Sequence, residues 1–141
     1  MTLGAGMVAA GCAGTAAEPT PPLAELIGTT WRAETIAGRP VMDNAASILT
    51  FVSAERIAGL AGCNRYSGPL RVEGGRVRVG PLAATRMACA PALMDQEARF
   101  LATLQRVERI ARDRSFLLLR STGDGEPTRL AGFTEPANPP R

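Results

Sequence analysis

The sequence contains neither histidine nor lysine. Without an imidazole, Ser-His-Asp and Cys-His catalysis and histidine-ligated zinc sites are excluded. Arginine is therefore the only basic side chain, and the arginines are scattered along the chain among acidic residues. A net charge of +3 distributed in this way does not indicate a nucleic-acid-binding surface, so we predict no nucleic-acid partner.

Aromatic residues are also scarce, at 4% of the 141 residues, so aliphatic side chains must fill most of the core. The hydrophobic fraction of 45% is ordinary for a globular protein. The length suits one domain. Beyond the N-terminal segment, no run approaches the roughly 20 apolar residues that a membrane-spanning helix needs.

The N-terminal segment carries the first of three cysteines, Cys12, directly after Ala9, Ala10 and Gly11. Small residues before a cysteine resemble the end of a bacterial lipoprotein signal, which implies that Cys12 is acylated and anchors the chain to a membrane. A disordered Ala/Gly tail with an incidental cysteine is the alternative. Residues 13–22 are rich in proline and small residues, which is typical of a flexible tether.

These features predict three parts: a signal remnant and tether over residues 1–22, a folded domain over 23–134, and a disordered tail over 135–141. The tether and anchor predict a periplasm-facing lipoprotein of the bacterial envelope, with the outer membrane favoured. A spurious signal would leave the protein in the cytoplasm.

Within the domain, short β-branched and alternating segments are separated by turn residues, which predicts about eight strands. The predicted strands cover residues 26–36, 47–53, 56–61, 66–73, 76–80, 107–112, 115–121 and 128–134. Residues 91–105 interrupt this rhythm with proline at the start and apolar residues at helical spacing, which predicts one α-helix. The helix stripe comprises Leu93, Met94, Phe100, Leu101 and Leu104. Strands at this spacing favour a single antiparallel meander that closes or nearly closes.

Two motifs lie on either side of the predicted 76–80 strand and lead into the helix. They read GLAGCNRYSG over 59–68 and TRMAC over 85–89, and MDQEARFL follows on the helix over 94–101. With the early Trp31 and the strand around Phe51, they resemble the META/HslJ family of small bacterial envelope proteins. The resemblance implies a lipocalin-like small barrel with one helix packed on it. It also implies no enzyme activity, and a loose association with stress response, antibiotic tolerance and secretion.

Cys63 and Cys89 belong to the two motifs and are separated by 26 positions. We predict that they form a disulfide, which in the chain-entropy model contributes about 3–3.5 kcal/mol. A two-thiol metal or redox site is the alternative, although no C-x-x-C arrangement or additional soft ligand supports it.

Glu97 lies in the middle of the apolar helix stripe. A buried carboxylate needs a partner, because an unpaired buried charge is costly. The candidate cluster around it comprises Asn64, Arg65, Tyr66, Arg86 and Glu97. We predict that Glu97 pins the helix to the two cysteine-bearing loops, with Arg86, Arg65 or backbone amides near Asn64 as its partners. The alternatives are a ligand or partner pocket and, least favoured, catalysis.

Three functions follow from these features. The first is a non-enzymatic, monomeric envelope module that contacts another envelope protein or the cell wall, without metal or cofactor. The second is a small-molecule or lipid binder, which would need an apolar cavity of about 300 Å³ or more. The third is an enzyme that uses Glu97 with Asp95 or Glu108, and it is disfavoured because Asp95 and Glu97 point to different helix faces.

Overall fold

The computed structural model describes residues 11, 20–123 and 125–133. Cys12 and the 135–141 tail lie outside these residues. In the described part the elements in chain order are α1 (Leu23–Leu26), β1 (Thr30–Ile36), β2 (Arg39–Pro40), β3 (Ile48–Ser53), β4 (Arg56–Leu60), β5 (Arg65–Glu73), β6 (Arg76–Val79), β7 (Ala83–Ala84), α2 (Pro91–Arg106), β8 (Val107–Asp113), β9 (Phe116–Ser121) and β10 (Thr128–Gly132).

Eight of the strands form a nearly closed antiparallel barrel in the order β6-β5-β4-β3-β1-β10-β9-β8. The first and last strands of the chain are neighbours in the middle of this order, because β1 pairs with β10. The seam lies between β6 and β8, which are in contact but have no hydrogen-bonded register in the described residues. Arg76 and Glu108 form an ion pair across it, with 3.3 Å between Nη1 and Oε2. The predicted fold class, a mainly β small barrel with one packed helix, is confirmed.

The two shortest strands lie outside this path, with β2 paired to β1 and β7 paired to β5. The one-turn helix α1 was also not predicted. No described helix has the length and apolar character needed to cross a bilayer.

Side-chain alternation explains why these segments form barrel strands. On β1, Trp31 and Ala33 are buried while Arg32 and Glu34 are exposed. The same period of two places aliphatic residues of the other strands inside the barrel. The remaining central void is only about 10 Å³, so the interior is filled by side chains. Barrels of eight strands commonly have an interior of this kind.

The helix α2 covers one end of the barrel, which we call the helix end. Phe100 and Leu104 are buried as predicted. The other members of the predicted stripe, Leu93, Met94 and Leu101, are half-buried, and Leu101 packs against the core. The other buried positions of α2 are Gln96, Glu97 and Thr103. The helix meets loops whose backbone groups need hydrogen-bond partners, so polar side chains occupy part of its inner face.

The other end of the barrel, which we call the open end, carries α1 and the β3–β4, β5–β6 and β8–β9 turns. The predicted first strand over 26–36 is wrong in its first part. Residues 23–26 form one helical turn, and Gly28 reverses the chain with a φ of +80° before β1 begins at Thr30. Thr29 donates its backbone N–H to the Leu26 carbonyl at 3.0 Å. Leu26 is thereby buried against the barrel instead of lying in a strand.

The other predicted boundaries agree with the observed ones to within one residue, except that β10 ends at Gly132, two residues before the predicted end.

Candidate functional site

The Glu97 carboxylate accepts three hydrogen bonds from the corner between β4 and β5. Its Oε2 accepts the backbone N–H of Cys63 at 3.0 Å and of Asn64 at 2.6 Å. Its Oε1 accepts from the Asn64 side-chain amide at 2.7 Å. Hydrogen bonds to an ionised acceptor are stronger than neutral ones, so this buried side chain joins α2 firmly to the corner.

Asn64 extends this network to the loop that contains the second motif. Its Nδ2 donates to the Met87 carbonyl at 3.2 Å as well as to Glu97. Its Oδ1 accepts from the Thr85 hydroxyl at 3.0 Å and from the Met87 N–H at 2.6 Å. Both donors and both lone pairs of the amide are therefore occupied, which is the full capacity of an asparagine side chain. A fully satisfied buried network of this kind specifies one loop conformation.

Cys63 and Cys89 form a disulfide between the same two segments, with 6.1 Å between their Cα atoms. Cys63 is buried and Cys89 half-buried. Cys89 lies two residues before the start of α2, so the bond also restrains the approach to the helix. The covalent link and the Glu97–Asn64 hydrogen bonds therefore act on one structural unit, which we call the clamp: Cys63, Asn64, Cys89 and Glu97.

Gln96 makes a second, parallel set of contacts that the sequence analysis missed. Its Oε1 accepts the Met42 backbone N–H at 2.9 Å, and its Nε2 donates to the Ala45 carbonyl and the Ser47 hydroxyl, both at 3.1 Å. Ser47 in turn donates to the Ala61 carbonyl at 2.9 Å. The adjacent residues Gln96 and Glu97 thus bind two different loops: Gln96 binds the loop between β2 and β3, and Glu97 binds the corner between β4 and β5. The only indication in the sequence was a second polar residue beside Glu97 near the apolar stripe.

Of the partners predicted for Glu97, the backbone amides near Asn64 are the ones observed, and the two arginines are wrong. Arg65 and Arg86 are exposed, and neither contributes an ion pair or side-chain hydrogen bond to Glu97 in the described part of the chain. Arg65 instead pairs through its backbone with Thr85, whose N–H donates to the Arg65 carbonyl at 3.0 Å. Backbone amides at the corner satisfy the carboxylate without requiring a guanidinium to leave water.

Tyr66 lies beside the clamp but belongs to the barrel core. Its hydroxyl donates to the Ile48 carbonyl at 2.8 Å, and its ring packs edge-on against Phe100 with 6.0 Å between centroids. Burial raises the pKa of the Tyr66 hydroxyl. Gly59 makes this packing possible, because a Cβ there would come within 1.9 Å of the Ile48 oxygen.

Gly62, in the same motif, has a φ of +148°, and a Cβ there would lie 3.2 Å from Leu93 of α2. The left-handed backbone and the close helix both favour glycine at this corner.

The loop that the clamp holds in place carries a large exposed apolar side chain, that of Met87, which is 58% accessible. The Met87 backbone is fixed because both its N–H and its carbonyl bind the Asn64 side chain. The exposed residues Arg65 and Arg86 belong to the two segments that the clamp joins. We call Arg65, Arg86 and Met87 the motif surface.

The acidic residues considered for catalysis are engaged with different partners. Asp95 forms an ion pair with Arg99 at 3.1 Å on the solvent side of α2, whereas Glu108 bridges the seam to Arg76. Glu97 accepts only from the corner amides. Over residues 20–123 and 125–133, no group of three or more His, Cys, Asp or Glu side chains is placed to hold a metal ion.

Comparison with known proteins supports the fold and assigns the family. One solved structure, described as an NMR structure of a protein, is 24% identical with a TM-score of 0.63, covering 79% of this chain and 94% of its own. An NMR structure of a protein from Burkholderia xenovorans is 23% identical with a TM-score of 0.65, covering 86% and 94%.

No curated protein gives a significant match. The family model described as "META domain" matches residues 24–132, which is most of the chain. On this match the chain belongs to the META domain family.

Proposed function

We propose that this protein is an exported, non-enzymatic module of the bacterial envelope that binds another envelope protein or a cell-wall component through its motif surface. In this proposal Cys12 carries the lipid anchor, the domain faces the periplasm, and the outer membrane is the favoured location. A role in stress or antibiotic tolerance is the physiological setting that the family resemblance suggests.

The Cys63–Cys89 disulfide supports the exported location. Structural disulfides persist in oxidising compartments such as the periplasm and are rare in a reducing cytosol. The bond lies in the corner that organises the helix end, so the stability of that end depends on oxidation. Alkylation of protein taken directly from cells tests this location: we expect no thiol reaction at Cys63 or Cys89, whereas two reactive thiols there would contradict export.

The single observation that carries the binding proposal is the fixed backbone beneath the exposed Met87. A disulfide and a saturated hydrogen-bond network hold this loop in one conformation, although it buries little of its own apolar surface. Preorganised loops lose less entropy on association, and arginine and methionine are enriched at protein interfaces. The motif surface therefore has the composition and rigidity of a contact site.

The alternative of a calycin-type binder with its ligand in the barrel centre is disfavoured. The central void of about 10 Å³ is no larger than the space one water molecule needs, far below the cavity of about 300 Å³ that such a function would need.

Site-specific photo-crosslinking in the native envelope tests the motif surface directly. A photoreactive amino acid at position 87 is expected to give one dominant covalent adduct, identified by mass spectrometry. The matched control is position 52, where Val52 is similarly exposed but lies toward the open end of the barrel. The proposal fails if position 87 gives no discrete adduct, or if both positions give the same one.

A further inference from the structure

The open end of the barrel contains an apolar cavity that the proposed partner surface does not use. Its volume is about 250 Å³, and its walls are formed by Leu23, Leu26, Val72, Val77 and Ile110. Residues 20–22, which include two prolines, also line it. Among the described residues that line it, Thr20 is the only one with a polar side chain, so these walls offer almost nothing to orient a polar ligand.

The size of the cavity sets the size of the group it can hold. An apolar cavity of about 150 Å³ is sufficient for benzene, so this one accommodates on the order of ten carbon atoms. Val77 and Ile110 also line the packed central void of about 10 Å³, so the barrel core blocks any deeper path. The cavity is therefore suited to a hydrocarbon chain of limited length.

A groove with a partly polar lining lies next to this cavity. The groove has a volume of about 560 Å³ and shares Leu23 and Val72 with the cavity. Arg71, Glu55 and Glu73 also line it, so charges of both signs lie next to the apolar walls. A ligand that spans both spaces needs one hydrocarbon chain and a head group that carries a cation and an anion.

We propose that the open end binds single-chain zwitterionic amphiphiles of the lysophospholipid class. The acyl chain occupies the cavity, and the head group lies in the groove with its phosphate toward Arg71 and its ammonium toward Glu55 and Glu73. This site is at the opposite end of the barrel from the motif surface, and its existence does not depend on the proposed envelope partner.

Calorimetric titration of the full chain carrying Cys12→Ser tests this site with lysophosphatidylcholines of 6 to 14 acyl carbons, each below its micellar concentration. The affinity is expected to rise about fourfold per methylene. It should level off near ten carbons, where the cavity is full. The proposal is overturned by an absence of binding, or by an affinity that continues to rise through 14 carbons.

Two tryptophan variants separate cavity binding from adsorption to the surface. Val72→Trp places a bulky ring at the mouth and should lower the affinity at least tenfold. Val52→Trp is the matched control, because Val52 and Val72 are 49% and 48% exposed but only Val72 lines the cavity. Thermal melts establish that both variants are folded. Equal effects of the two substitutions would show that the cavity is not the site.

Ligands that lack the ammonium group test the proposed position of the head group. Alkanoates and lysophosphatidylglycerols of equal chain length share the hydrocarbon chain but lack the ammonium group, so they should bind more weakly than lysophosphatidylcholine. Arg71→Gln should lower the lysophosphatidylcholine affinity by up to about fivefold, the range of an exposed ion pair, without changing the chain-length dependence. Equal affinities for the three ligand types would refute the zwitterionic assignment.

Discussion

The two ends of the barrel are closed by different kinds of interaction. At the helix end, Gln96 and Glu97 satisfy buried backbone groups of two loops, and a disulfide joins the corner to the segment before α2. At the open end, Leu26 is buried while Ile27 and Val72 remain exposed. Buried loop backbone requires specific polar partners, whereas an exposed turn can leave its backbone groups to water. The helix end is therefore specified by hydrogen bonds, and the open end by limited apolar packing.

The two ends of the barrel should differ in local stability. A region with few buried contacts opens at lower free energy than one tied by a saturated network and a covalent bond. We expect hydrogen exchange to be slowest at the clamp and faster in α1. The open end is thus the part of the barrel where a ligand can enter without disturbing the clamp.

The largest effect is expected for Glu97→Ala. Three N–H donors at the corner would lose their acceptor in a buried setting, which we expect to lower the free energy of unfolding by about 3–5 kcal/mol. Glu97→Gln should lose less, about 1–3 kcal/mol, because its carbonyl oxygen can take the place of Oε2 and keep the two backbone hydrogen bonds, while its NH₂ group faces the Asn64 side-chain NH₂. Urea denaturation followed by circular dichroism measures both losses.

Asp95→Asn on the same helix is the control, since Asp95 is exposed and loses an ion pair with the half-buried Arg99, which should change stability by less than about 1 kcal/mol. If Glu97→Gln lost less than that as well, the carboxylate would not hold the helix end.

Removing the disulfide with Cys63→Ala and Cys89→Ala should lower the free energy of unfolding by about 3–3.5 kcal/mol, because the denatured chain regains the entropy of a loop spanning 26 positions. The urea midpoint should fall correspondingly. Cys12→Ser should leave that midpoint unaltered. An unchanged midpoint after reduction of the native protein would contradict a stabilising role for this bond.

Tyr66, the single tyrosine of the chain, should make the folded protein less stable at alkaline pH. Burial raises the pKa of Tyr66 above its ordinary value of about 10, so the folded state keeps the hydroxyl proton that the unfolded chain releases. Stability is therefore fully present below about pH 10 and declines above it, by about 1.4 kcal/mol per pH unit. The chain has no lysine, so no other side-chain type with an ordinary pKa near 10 complicates the measurement.

Urea denaturation at several pH values between 9 and 12 measures this slope. Tyr66→Phe should lose about 1 kcal/mol at neutral pH with its hydrogen bond to Ile48, but should flatten the alkaline decline. The same alkaline slope in the phenylalanine variant would assign the effect to another group.

The smallest effects are expected at the open end. Val52→Thr and Val72→Thr replace exposed side chains and should change the free energy of unfolding by less than about 0.5 kcal/mol. Leu26→Ala at the same end is the contrasting variant, with an expected loss of about 2–4 kcal/mol because Leu26 is buried. Losses above 1 kcal/mol for the two threonine variants would show that this end is packed as tightly as the core.

The barrel itself was predictable from local patterns. On β6, for example, Val77 is buried and Arg76 and Arg78 are exposed, as strict alternation predicts. The prediction failed where a local pattern was ambiguous. The segment around Leu26 is apolar enough for a strand, but the left-handed Gly28 and the Thr29–Leu26 hydrogen bond turn it into a helical turn.

The clamp was predictable only in part. An acidic residue within an apolar helix stripe must have a partner, so the need for one could be derived at Glu97. The motifs offered Arg65, Arg86 and the backbone amides near Asn64 as candidates, but the choice among them could not be made, because the donors of Cys63 and Asn64 come from 34 and 33 positions away. The role of Gln96 depends in the same way on loop backbone at separations of about 50 residues.

The sequence by itself determined the alternating strands, the position of the helix, the spacing of the cysteines and the presence of a carboxylate that requires partners. These properties depend on side-chain periodicity and composition along neighbouring residues. Only the tertiary structure decided that amides rather than arginines satisfy Glu97, that the barrel centre is filled, and that an apolar cavity remains at the open end. Those outcomes depend on which distant groups folding brings within a few ångströms of one another and on how completely their side chains fill the space between them.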